Sequence, residues 1–114
     1  MRNRFGLSWL PGLALAAVLS SAPAVAADPE FTLVIKDHVF SPAEVRVPAG
    51  KKVKLIVDNQ DATAEEFESH VLNREKVIPP RSKATLFIGP LAPGKYPFIG
   101  EFHEATAKGV VIAE

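Results

Sequence analysis

The sequence predicts an all-β fold, an antiparallel β-sandwich of about seven strands. Three observations carry this. Short runs rich in β-branched and aromatic residues recur at close spacing, turns containing Pro and Gly separate them, and no stretch after residue 27 repeats its apolar residues with a helical period.

The first 27 residues read differently from the rest. Arg2 and Arg4 precede an apolar run from Leu7 to Leu19, and Ala24-Val25-Ala26 supplies a small-residue cleavage site. This is the pattern of a secretory signal peptide over residues 1–27, cut after Ala26 or Ala27. The apolar run is short and broken by Pro11, so it falls below the ~20 residues of a membrane span. Residues 28–114 then form one domain. Without Arg2 and Arg4 the 13 basic residues become 11, against 13 acids. That balance offers no basic patch for nucleic acid and no polybasic membrane anchor.

In the domain, Phe31 to Lys36 reads as a strand through its β-branched and aromatic residues. Asp37 to Pro42 interrupts it. Glu44-Val45-Arg46-Val47 alternates polar with apolar, and Pro48-Ala49-Gly50 turns the chain. Lys52 to Asp58 follows as a third strand with Val53, Leu55 and Val57 on one face. Asn59 to Ala64 has loop composition. Glu65 to Leu72 reads as extended, and Val77-Ile78-Pro79-Pro80 cannot continue as a central strand because proline donates no ladder hydrogen bond. Ala84 to Ile88, Lys95 to Gly100 and Val110 to Ala113 complete the set, with Gly89 to Gly94 as a turn.

The composition limits the chemistry. The chain has no cysteine, and its single methionine is Met1. The domain therefore lacks disulfides and sulfur ligands, and any metal must use imidazole, carboxylate, carbonyl or water. No HExxH, glycine-rich phosphate loop or nucleophile elbow is present. What stands out is a surplus of glutamate near histidine: Glu65, Glu66 and Glu68 after the third strand, and Glu101 and Glu104 on either side of His103. If Phe67 faces the core, strand alternation puts Glu65 on the core side and leaves Glu66, Glu68 and His70 in solvent. Carboxylates with imidazole suit iron, manganese, copper or zinc. Equally, Glu66, Glu68 and Glu75 read as a solvated face, His38 as a turn residue, and His103 as either a ligand or a hydrogen-bonded loop histidine.

Phe40-Ser41-Pro42, Val45 to Gly50, Val53 to Asn59, Gly94 to Phe98 and the His103 loop together resemble a cupredoxin over almost the whole domain. The resemblance implies a cupredoxin-like Greek-key sandwich. In that family the first histidine ligand follows the asparagine after the third strand, and cysteine, histidine and usually methionine occupy the last loop. Carried over by position, Glu65 (or Glu66, if the loop slips by one) stands at the first histidine. Gly100 stands at the cysteine, His103 at the second histidine and Lys108 near the methionine. A blue-copper centre needs the thiolate and is excluded. The glutamate motifs resemble a narrower group, periplasmic cupredoxin-like proteins of bacterial iron-permease systems.

That resemblance implies a periplasmic protein binding an iron or copper ion through Glu65, Glu101 and His103. Glu66 would be an alternative or outer ligand, and Glu104 would orient His103. An inner-membrane iron permease and a periplasmic partner protein are the implied associates. Metal affinity is expected to fall below about pH 5 as the ligands protonate. Two rival classes remain open: a ferroxidase-type enzyme and a metal-free protein-interaction module.

Overall fold

The structure, a computed structural model, describes residues 27–114 and the isolated positions 12, 14 and 17. The signal segment expected over residues 1–27 otherwise falls on residues outside those described.

Among the described residues nine strands run in chain order: β1 (Glu30–Lys36), β2 (Val39–Ser41), β3 (Glu44–Val47), β4 (Val53–Asn59), β5 (Glu65–Ser69), β6 (Arg74–Ile78), β7 (Lys83–Ile88), β8 (Gly94–Gly100) and β9 (Lys108–Ala113). A 3₁₀ turn, Glu101–His103, separates the last two. One sheet has the order β2-β1-β4-β7 and the other β3-β9-β8-β5-β6. Alternation drives both into a shared core. In β4, Val53, Leu55 and Val57 are fully buried while Lys54, Ile56 and Asp58 are half-buried. Leu33, Ile35, Leu86 and Ile88 meet Val45, Val47, Ile78 and Val111 across the interface.

At one end of this core Phe40 of β2 sets its ring edge against Phe98, centroids 5.1 Å apart, while Phe67 and Phe98 stack at 5.0 Å. Such aromatic pairs add about 0.5–1.5 kcal/mol each beyond their buried area. They also bind the short β2 of one sheet to β5 and β8 of the other.

The sandwich is as the sequence predicts, with two differences in detail. Two further strands, β2 and β6, form beyond the expected set. Two pairings are parallel, β1 with β4 and β3 with β9, so both sheets are mixed. Side-chain alternation is the same in either direction, so the pattern that reveals a strand does not reveal its partner's sense. The strand β6 is an edge strand, and Pro79-Pro80 follow it, where a missing ladder donor costs nothing. Among the described residues no helix is long and apolar enough to cross a membrane.

Candidate metal centre

The position of Glu65 is set by Asn59. Asn59 is buried at the end of β4, and its side-chain amide donates to the carbonyls of Thr63 (2.9 Å), Ile78 (3.2 Å) and Pro79 (3.2 Å). Its carbonyl accepts the amide of Asp61 at 3.0 Å. A buried side chain with both ends paired fixes the loop between the two sheets and hands β5 over in register. Phe67 then lies opposite Gly100, and Glu65, two residues earlier on the same face, points toward the 3₁₀ turn.

Glu65 is only 1% exposed, and three donors converge on it. Its Oε1 accepts the backbone amides of Glu66 (3.0 Å) and Phe102 (2.9 Å), and its Oε2 lies 2.6 Å from His103 Nδ1. In the tautomer that donates from Nδ1 to Glu65, Nε2 of His103 keeps its lone pair. The carboxylate also fills the space beside Gly100. A Cβ at that position would stand 2.6 Å from Ala107 Cβ and 2.7 Å from Glu65 Cδ. Any side chain at residue 100 would displace the carboxylate.

His38 arrives from the other sheet. Lys36 pairs with Val39, so Asp37 and His38 are the two central residues of a tight hairpin. Their φ values are 52° and 58°, the left-handed conformation of the favoured two-residue turn. Neither residue is glycine, and each costs roughly 1–3 kcal/mol in this region unless neighbours hold it there. Asp61 does so: its carboxylate accepts the amides of Asp37 (2.7 Å) and His38 (3.0 Å). Burial works to raise the Asp61 pKa, but these two amides and the nearby His38 outweigh it and hold the acid below its usual value. Thr106 Oγ1 also donates to the His38 carbonyl at 2.6 Å. Held from both sides, the His38 ring stacks on His103, and its buried Nδ1 makes no hydrogen bond but lies 3.4 Å from Asp61 Oδ2.

One donor atom each from His38, Glu65 and His103 lies within 4.8 Å of the other two. Two imidazoles and a carboxylate are the donor chemistry of iron, copper or zinc. The spacing is that of a closed site. Ligands about 2.1 Å from one ion stand roughly 3.0–3.4 Å apart at octahedral or tetrahedral angles, wider than the Glu65–His103 contact. To share an ion, Glu65 and His103 would have to move apart.

The four ligands expected from the sequence divide between two faces of β5. Glu65 and His103 are in the inner pocket. Glu66 and Glu101 are outside it, where they meet Glu75 with carboxylate oxygens within 4.8 Å. A hydrogen bond shared with Glu75, then burial, then Glu101 push the Glu66 pKa up to about 7. Glu68 is raised as well, chiefly by sharing a hydrogen bond with Glu101. The solvated face expected of Glu66 and Glu68 is thus largely withdrawn from water, whereas the side chain of His70 is 91% exposed. Glu104 is exposed, and the carboxylate that holds the His103 ring is Glu65.

The model of the cupredoxin-like domain family matches residues 10–113. This chain belongs to that family. An uncharacterized protein of Rickettsia prowazekii (strain Madrid E) is 48% identical over 83 residues, covering 73% of this chain and 66% of the relative. Among solved structures, the metal-binding domain of a Cu(I)-exporting P-type ATPase from Streptococcus pneumoniae, crystallised with Cu(I), aligns over 75% of this chain and 84% of its own. Its TM-score is 0.67 at 11% identity. Auracyanin A, a blue copper protein of Chloroflexus aurantiacus, aligns over 77% of this chain and all of its own, with TM-score 0.65 at 12% identity. Identities this low speak for the fold alone.

As a cupredoxin-like domain without cysteine, the chain has no blue-copper site. The crowding at Gly100 gives the physical counterpart: a glutamate carboxylate occupies the space a side chain there would need. His38 is the pocket residue that the sequence reading treats as a turn. A signal for it existed. An Asp-His pair between two apolar pairs, Val34-Ile35 and Val39-Phe40, has the length of a hairpin loop, but it lacks the Asn-Gly composition that usually marks one.

Proposed function

We propose that this protein is an exported, periplasmic transition-metal-binding protein, an iron- or copper-binding accessory of high-affinity iron uptake. The observation that supports this reading best is the convergence of one donor atom each from Glu65, His103 and His38 within 4.8 Å. Mixed imidazole and carboxylate donors accept both Fe(II) and Cu(II). The signal-like first 27 residues support export, and an inner-membrane iron permease with a periplasmic partner protein is the setting in which such a binder would act.

Calorimetry of residues 28–114 with Fe(II) under nitrogen, and separately with Cu(II) and Zn(II), tests the binding. One equivalent bound by the wild type, and lost in His103→Ala, supports the proposal. No heat and no thermal shift with any of the three leaves a metal-free sandwich. Air-oxidation of excess Fe(II) separates a binder, which oxidises at most one equivalent, from an enzyme, which continues.

A further inference from the structure

Both oxygens of Glu65 are already engaged. Its Oε1 accepts the backbone amides of Glu66 and Phe102 at 3.0 and 2.9 Å, and its Oε2 meets His103 Nδ1 at 2.6 Å. The carboxylate has little room to withdraw. It is 1% exposed, and a Cβ at Gly100 would stand 2.7 Å from its Cδ and 2.9 Å from its Oε1. An ion bound between Oε2 and Nδ1 needs those atoms at least about 3.0 Å apart. The inner side of His103 is therefore built for a hydrogen bond.

The other ring nitrogens face outward. The two nitrogens of an imidazole point away from each other, and the bond made by one sets the state of the other. Nδ1 of His103 is turned inward to Glu65, and Nδ1 of His38 is buried 3.4 Å from Asp61 Oδ2. Among the described residues neither Nε2 makes a hydrogen bond. The one buried side-chain nitrogen or oxygen without a hydrogen-bond partner is His38 Nδ1, so both Nε2 atoms reach solvent. Stacking, with centroids 3.5 Å apart and planes 9° from parallel, makes them neighbours at the surface.

We infer, resting on the metal-binding reading above, that the ion is held from the solvent side by Nε2 of His103 and Nε2 of His38, and that Glu65 is a positioning residue rather than a ligand. Glu65 accepts the Nδ1 proton of His103 and so keeps the Nε2 lone pair free. A carboxylate commonly takes this part behind a metal-bound histidine. His38 supplies the movement: its side chain is 40% exposed, against 27% for His103 and 1% for Glu65, and among the described residues no hydrogen bond holds its ring. A tilt of that ring out of the stack lets both lone pairs meet one ion. Two imidazoles leave the remaining positions to water, which keeps the ion open to exchange.

Zn(II) is the probe, because it is diamagnetic and leaves histidine nitrogens visible by magnetic resonance. Long-range proton–nitrogen correlation spectra of the isotope-labelled domain, residues 28–114, identify which ring nitrogens carry a proton and which bind the ion. Without metal, His103 should carry its proton on Nδ1. With one equivalent of Zn(II) that proton should remain, while the Nε2 resonances of His103 and His38 shift together. In Glu65→Gln the amide oxygen stays on the two backbone amides and the NH₂ group faces His103. The ring proton then moves to Nε2, and Zn(II) affinity should fall about 10–100-fold. Circular dichroism checks the variant's fold, and the wild-type spectra decide the matter even where it fails to fold. Zinc bound with loss of the Nδ1 proton overturns the inference and leaves the metal-binding reading standing. Zinc bound without a response at His38 Nε2, or unchanged affinity in folded Glu65→Gln, does the same. No response of any histidine to Zn(II) also overturns it, and if calorimetry with Fe(II) and Cu(II) is silent too, the metal-binding reading falls with it.

Discussion

The imidazole of His38 lies flat on that of His103, with ring centroids 3.5 Å apart and planes 9° from parallel. Stacked rings send their lone pairs out side by side, so a shared ion requires them to splay. The His38→Asn variant isolates the role of the ring, because Asn tolerates the left-handed conformation of residue 38. Stability is expected to stay within about 0.5 kcal/mol of the wild type. Affinity for Fe(II) or Cu(II) is expected to fall roughly 10–100-fold, the range seen when a supporting group of a metal site is lost. Thermal unfolding and calorimetry report the two separately, and unchanged affinity would remove His38 from the site.

Asp61 connects this stacking to the backbone. It holds two left-handed residues in place, so Asp61→Ala should cost about 1–3 kcal/mol and weaken metal binding through loss of His38 alignment. The pH dependence has a definite sign. The folded pKa is below the ordinary value of 3.8, so the stabilisation is present above that value and is lost as pH falls through the lower folded one. Urea unfolding between about pH 5 and about pH 2.5 should show the wild type losing more stability than Asp61→Asn.

Much of this architecture can be read from side-chain alternation alone. Val53, Leu55 and Val57 announce β4, and the prolines after Ile78 announce an edge. The strand β6 itself is hidden, because an edge strand exposes Arg74, Glu75, Lys76 and Val77 and so shows no apolar face. At the site, alternation correctly sends Glu65 inward with Phe67, and the same rule implies that Glu66 cannot join it. Glu66 accordingly lies outside, as an outer ligand would, but Glu101, expected beside Glu65 and His103, lies outside with it. The place of His38 depends on a long-range contact with Asp61, 23 residues away, which no local pattern encodes.

Gly100 tests whether the carboxylate has replaced a side chain there. In Gly100→Ala the new methyl meets Ala107 and Glu65 below 3 Å, and both are in a packed core. A destabilisation of about 1–3 kcal/mol is expected from overpacking, together with weaker metal binding as Glu65 is pushed from His103. Unaltered stability by urea unfolding would mean that the pocket yields more readily than its contacts suggest.

The outer acids make an opposite prediction about pH. Glu66 keeps its proton to about pH 7 in the folded chain, against 4.5 for the free side chain, because Glu75, burial and Glu101 all oppose its ionisation. Between these values the folded state binds more protons than the unfolded one, so the contribution is present below the unfolded pKa and lost as pH rises through the folded one. Glu68 acts in the same direction. In Glu66→Gln this slope disappears, since the amide has no proton to lose. Unfolding free energies near pH 5 and near pH 8 should therefore fall less in the variant than in the wild type. Equal slopes in the two proteins would show that the three acids are screened by water and that their proximity carries no energetic consequence.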